Sequence, residues 1–391
     1  MRPNNSLMKT IFFTLTIIVV SSLSCSKLKK TEHPNFEGSI LRFNLENPIN
    51  NPTPLYLSKI GSRLEYVPLE SKPECMLGNI SKLKLTDSFI FVSDDKKLLK
   101  FTKDGKYIKQ IGASGRGPGE YLIVWDFYIA DQDSLIYILD NRQVIVFDHD
   151  GHYLRSFKLD FVTCQMALED NNTFVFHDLN LSLKIVNPSF VPNFPDTTYS
   201  IHITDSTGTN LIKIKHPLRQ GNEPYINSIS SPLYGNNGYV TFLEIGIDTL
   251  YRFNKQKMEP YVVFILGERK MDPHLVDREY AQKNKDKYWI HSVIENSKYF
   301  FIDLPQGLAN NTHHCFVDKQ SGKVIFTQDL GFNNDLDNGP EFWPEEVYND
   351  SILVSNTEAY KFLTITKSNN KIREIQQKLT ETSNPVVILL Y

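Results

Sequence analysis

The sequence predicts an all-β chain built from small antiparallel sheets that recur along its length, and three observations carry that expectation. First, a stretch repeats. Phe91-Val92-Ser93-Asp94 returns as Tyr137-Ile138-Leu139-Asp140, and Lys103-Asp104-Gly105-Lys106 returns as His149-Asp150-Gly151-His152, both at an offset of 46 residues. Second, the Asp-Gly pairs lie between apolar runs, where they supply the positive φ angles of two-residue type I′ hairpin turns. Third, the runs 88–94 and 134–140 are apolar on both faces, with Phe89 and Phe91 on one side and Ile90 and Val92 on the other. Each sheet must therefore be stacked between neighbours. A small sheet recurring every ~45 residues and packed between its own copies is the β-propeller solution, in which a closed ring buries both faces of every blade.

Taken in order, the chain opens with a targeting segment. Arg2 and Lys9 precede a ten-residue apolar run, Ile11 to Val20, and small residues lead from Ser21 to Cys25. That run is too short to span a bilayer, so residues 1–24 read as a signal peptide. Ser22-Leu23-Ser24-Cys25 resembles a bacterial lipobox, which implies that Cys25 is lipidated. Residues 25–64 are polar and proline-bearing and read as a tether, leaving 65–391 for the propeller. Further turns are expected at Asp205–Gly208, Asn254–Lys257 and Gln320–Gly322, between strand runs at Tyr239–Leu243, Tyr261–Leu266, Tyr299–Asp303, Lys323–Thr327 and Ser351–Ser355.

Two segments break the strand pattern. Asp272-Pro273 opens a helix-like stretch, and Ile372, Ile375 and Leu379 fall at helical spacing. Length alone allows seven blades, and subtracting these short helical insertions favours six. Cys75, Cys164 and Cys315 have no close spacing and are expected to be buried free thiols. His313-His314-Cys315 is not a metal motif, because consecutive side chains of a strand point to opposite faces.

The run Ile111-Gly112-Ala113-Ser114-Gly115-Arg116-Gly117-Pro118-Gly119-Glu120-Tyr121-Leu122 resembles the hallmark of six-bladed β-propeller lipoproteins of Bacteroides-type bacteria, relatives of the NHL-repeat propellers. Leu64–Glu70, Asp248–Phe253 with Glu259-Pro260, and Asn384–Leu389 match as well. The resemblance implies a ring closed between N- and C-terminal strands and membrane attachment through the N-terminal lipid. It also implies an outer-membrane envelope location and a glycan, peptide or envelope protein as partner, with no established reaction. Ser26–Lys30 carries no acidic cluster, which favours a periplasm-facing display.

The glycine-rich run lacks the Lys-Ser/Thr of a phosphate-cradling loop and reads as an inter-blade connection. Arg116 and Glu120 on it, with Trp125 and Asp126 just after, suit a polar ligand that has a flat apolar face. Arg116 and Glu120 could equally form a structural ion pair. Trp343, among Glu341, Glu345 and Glu346 on a proline-bearing loop, is a further binding candidate. Net charge −3 provides no basic field, so nucleic acid is not expected as a partner. No catalytic motif stands out and no cofactor is expected. Binding without catalysis is the leading reading, against a channel-centred, lactonase-like hydrolase or lyase that would hold calcium.

Overall fold

The computed structural model describes residues 40–130, 134–140, 142–170, 172–179, 199–215, 232–236, 238–254, 257–272, 282–307, 311–366 and 369–391. Six antiparallel sheets follow one another along the chain, each a meander whose first strand faces the axis. Blade 1 comprises Lys82–Leu85, Phe89–Ser93, Leu98–Thr102 and Tyr107–Ile111. Blade 2 comprises Asp126–Ala130, Leu135–Asp140, Gln143–Asp148 and Tyr153–Lys158. Blade 3 comprises Met166–Asp170, Thr173–His177, Tyr199–Asp205 and Asn210–Lys215. Blade 4 comprises Leu233–Asn236, Tyr239–Phe242, Thr249–Asn254 and Lys257–Ile265. Blade 5 comprises Ser292–Glu295, Tyr299–Pro305, Thr312–Asp318 and Val324–Thr327. Blade 6 takes Glu346–Tyr348, Ile352–Thr357 and Val386–Leu390 from the C-terminal part, and Leu64–Pro68 pairs with Val386–Leu390 to close the ring. The fold is a six-bladed β-propeller.

The double-sided strands do what their composition requires. Between every pair of adjacent blades lies an apolar cluster, six in all. Phe91, Ile111, Phe127 and Phe147 fill the space between blades 1 and 2, and Tyr137, Phe157, Phe174 and Phe176 that between blades 2 and 3. The others lie between blades 3 and 4, 4 and 5, 5 and 6, and 6 and 1. Because each blade is buried on both faces, no blade has a core of its own and the ring is the cooperative unit.

Two details differ from the sequence reading. The repeated Asp-Gly turns are not type I′, since only the glycine takes positive φ: Gly105 at 83° and Gly151 at 78°, as does Gly208 at 85° after Thr207 in the corresponding turn of blade 3. Gly105 N donates to Thr102 O at 3.0 Å, and the ladder shifts register between Lys100 and Phe101. This is a type I turn closed by a glycine bulge. A turn with two positive-φ residues occurs instead at Asn349 (49°) and Asp350 (59°).

The folded body also begins earlier than Glu65. Leu41–Asn44 runs parallel to Lys257–Ile265 as a fifth strand on blade 4, and Leu55–Tyr56 pairs with Phe332–Asn333. Phe43, Leu45 and Ile49 are buried there, so residues 40–64 cover an outer edge rather than acting as a tether. Cys25 and the rest of 1–39 lie outside the described residues.

The expected C-terminal helix forms at Asn370–Gln376, capped by Asn369 and burying Ile372 and Ile375. The segment after Asp272-Pro273 lies largely outside the described residues. Cys75, Cys164 and Cys315 are buried and form no disulfide. His313 packs beside Tyr288 and Phe326 while His314 packs on Trp343, the alternation expected of a strand.

Candidate binding face

The meander makes the two mouths of the ring unlike. Blade-to-blade connections and middle hairpins emerge at one mouth, and several of them are long, among them 112–125, 328–345 and 358–385. The opposite mouth carries short turns such as 86–88, 296–298 and 349–351. We call the first the connection face.

The glycine-rich run crosses that face from the outer strand of blade 1 to the inner strand of blade 2. Tyr121 pins it. Its buried hydroxyl donates to Ile111 O at 2.7 Å and accepts from Leu98 N at 3.1 Å. Glu120 folds back under the run, and its Oε2 accepts from Gly117 N at 2.8 Å. A Cβ on Gly115 would stand 1.9 Å from that same oxygen, so the brace demands glycine there. Glu120 forms no ion pair with Arg116. Arg116 is exposed, and Trp125, 42% exposed, stands with Leu122 (49%) and Ile123 (38%) as an apolar strip on the inner part of the connection.

Asp126 and Trp343 are placed differently from that expectation. Asp126 is buried at the start of the inner strand of blade 2. Its Oδ1 pairs with Lys82 of blade 1 and accepts from Phe127 N at 2.8 Å, while Oδ2 accepts from Met166 N of blade 3 at 2.9 Å. One carboxylate thus joins three blades. Trp343 is partly buried, stacked on Phe332 and His314, with Nε1 donating to Asp303 Oδ1 at 2.7 Å. Asp303 Oδ1 also meets His314 Nδ1 at 3.0 Å.

Arg116 opens on a cleft of about 350 Å³ whose wall includes Gly115, Leu122, Asp140, Arg142, Gln143 and Lys158. Arg142 lies in the middle hairpin of blade 2, and Lys158, at the end of its outer strand, is the register partner of Gln143. Asp140 is buried and committed: it accepts from Leu122 N at 3.2 Å, Ile123 N at 3.3 Å and Gln143 Nε2 at 3.3 Å. Sequence reasoning missed Arg142 and Lys158. The repeat held the signal, because it aligns Arg142 with Lys96 in the corresponding hairpin of blade 1 and so assigns both to the connection face.

A second cleft, of about 310 Å³, lies between blades 6 and 1, lined by Asn79, Ile80, Glu345, Asn356, Glu358, Lys361 and Pro385. Glu358 and Lys361 pair at 2.9 Å. Protein crowds the Glu345 carboxyl on most sides while one edge stays open to solvent, and that crowding pushes it up to about 7. Asn356 Nδ2, donating at 2.6 Å, pulls the other way. Among the described residues, no three His, Cys, Asp or Glu side chains are grouped to hold a metal ion.

The ring and its loop-bearing mouth define a β-propeller with long connections and two clefts on one face. The chain belongs to the DUF4934 family, described as a domain of unknown function, whose model matches residues 40–391. No curated protein matches it. Among solved structures it is similar to a Bacteroides fragilis protein described as "Putative exported protein", at 16% identity and a TM-score of 0.69, covering 90% of this chain and 99% of that one. It is also similar to a member of the DUF4221 family from Bacteroides vulgatus, at 12% identity and a TM-score of 0.49, covering 85% and 96%.

Proposed function

We propose that this chain is an exported, lipid-anchored propeller of the cell envelope, kin to the NHL-repeat propellers, whose connection face binds a glycan, peptide or envelope protein without turning it over. The observation that carries the reading is the unlike mouths of the ring. Long connections, two clefts and the strip Leu122, Ile123 and Trp125 share one face, on a scaffold whose six apolar clusters hold it rigid. Export rests on residues 1–25 and on the likeness to the Bacteroides fragilis protein. No helix among the described residues is long and apolar enough to cross a membrane. Attachment is assigned to Cys25 on its lipobox-like setting, and the absence of acids at Ser26–Lys30 favours the periplasmic side of the outer membrane.

Two measurements test this. Cys25→Ala should move the full chain from the detergent phase to the aqueous phase; retention in detergent refutes the anchor. In a glycan and peptide screen, Trp125→Ala should lower affinity for the captured ligand with little change in melting temperature. A large loss of stability with unchanged affinity in the folded fraction refutes the binding role of Trp125.

One observation favours a second reading, an axial hydrolase or lyase. Glu345 lies in a cleft where burial, and to a lesser degree the charge of Asp303, pushes its carboxyl pKa up to about 7, the kind of carboxyl that serves as a general acid. Turnover of a lactone or glycan that Glu345→Gln abolishes would establish it in place of simple binding.

A further inference from the structure

Arg116, Arg142 and Lys158 reach the cleft of blade 2 from three separate segments: the glycine-rich connection, the middle hairpin and the outer strand. All three are exposed. Gathering cations in one concavity costs free energy by mutual repulsion unless something offsets it. Among the described residues, no carboxylate pairs with Arg116 or Lys158, and the one acid in the wall, Asp140, has both oxygens occupied by Leu122 N, Ile123 N and Gln143 Nε2.

The backbone of the connection indicates which anion fits. Glycine-rich runs that take phosphate do so with free backbone N–H groups. Here four of them are spent internally. Ala113 N donates to Gly119 O, Gly115 N to Tyr121 O, Gly117 N to Glu120 Oε2, and Glu120 N to Gly117 O. Side chains carry the charge here, and the Arg116 guanidinium fork with the Lys158 ammonium matches planar carboxylates held side by side. Leu122 supplies an apolar wall, and the volume is that of a small-ligand site.

We propose that this cleft is a subsite for a small ligand bearing at least two neighbouring carboxylates; the inference rests on the connection face being the binding face. Calorimetry of the full chain in detergent tests it with three probes: trigalacturonate, the sugar-free tricarboxylate tricarballylate, and uncharged galactotriose. Trigalacturonate should bind, and its affinity should fall as salt is raised. Arg116→Ala and Lys158→Ala should each weaken it about tenfold, with melting temperature unchanged because both side chains are exposed. Lys158→Arg should retain binding. Tricarballylate binding as well assigns recognition to the carboxylates alone; its failure beside trigalacturonate assigns part of it to the sugar ring. The subsite is overturned if neither charged probe binds, or if both substitutions leave their affinity unmoved. It is also overturned if galactotriose binds as tightly as trigalacturonate. Galactotriose binding that Trp125→Ala weakens would keep the binding face while removing the carboxylate subsite.

Discussion

Asp126→Ala should cost the fold about 3–5 kcal/mol, the range for removing one partner of a buried ionic contact. The carboxylate is 4% exposed and serves three donors: the Lys82 ammonium, Phe127 N at 2.8 Å and Met166 N at 2.9 Å. Truncation leaves two inward-facing N–H groups without an acceptor, about 1–3 kcal/mol each. Lys82 keeps a third of its side chain in water and relaxes outward, so its share is the smallest. Asp126→Asn should cost less, about 2 kcal/mol, because the amide offers one oxygen and must present its NH₂ to one of the two donor sets. Urea unfolding of the full chain, followed by tryptophan fluorescence, reads both values, and a double-mutant cycle with Lys82→Met isolates the pair. A loss below about 1 kcal/mol for the alanine variant, accompanied by lost ligand binding, would refute the three-blade latch and return Asp126 to the ligand site.

Other substitutions probe different levels of the structure. The raised pKa of Glu345 means that the folded state holds this proton more tightly than the unfolded one. Its contribution is therefore present below the ordinary value of 4.5 and is lost as pH rises through about 7. Glu345→Gln should flatten the fall in melting temperature across that window; an unchanged pH profile counts against the shift. Gly105→Ala places a Cβ 2.2 Å from Pro68 O at a φ of 83°, and should lower stability by about 2–4 kcal/mol in a urea titration. A loss within about 0.5 kcal/mol would show that the turn can move away from blade 6. The Cys164 thiol is pushed up to about 12 by burial, and Cys75 and Cys315 are raised by the same cause. All three should resist maleimide near neutral pH until the ring is unfolded; labelling of the native chain contradicts their burial.

The ring was legible because it is written twice in the sequence. The repeat marks equivalent positions, and apolar residues on both faces of Phe89–Ser93 and Leu135–Asp140 leave stacking as the only way to bury them. Turn type was not legible, since Asp-Gly is compatible with both I′ and bulged geometries and the twist of each hairpin decides between them. The edge strand Leu41–Asn44 was missed because it is only four residues long and its partner is more than two hundred residues away. At the binding face, the glycine run pointed to Arg116, but not to the fates of Glu120 and Asp126. Their partners are backbone N–H groups of a tight loop and of a neighbouring blade, which side-chain chemistry does not reveal.

That division has a consequence for where recognition can occur. Near the axis, inner strands approach one another and carboxylates are consumed in joining blades. Glu346 holds Lys84, Asp126 holds Lys82, and Glu295 takes Tyr234, Arg252, Tyr261 and Lys319. These contacts carry low exposure and direct hydrogen bonds, so loading them with a ligand would mean breaking buried ionic links at a cost of several kcal/mol. Farther out the blades splay, the connections must bridge the gap, and their side chains are no longer needed between sheets. Arg116 and Lys158 lie in that outer zone, pinned by Tyr121 and by the edge of blade 2 while facing solvent. Among the described acids around the inner strands, Glu345 combines an open edge with a pKa pushed up to about 7 by burial, which makes its cleft the place to look for any chemistry at the axis. Ligand affinity that depends on Arg116 but not on Glu345 would place recognition at the rim, and the reverse dependence would move it inward.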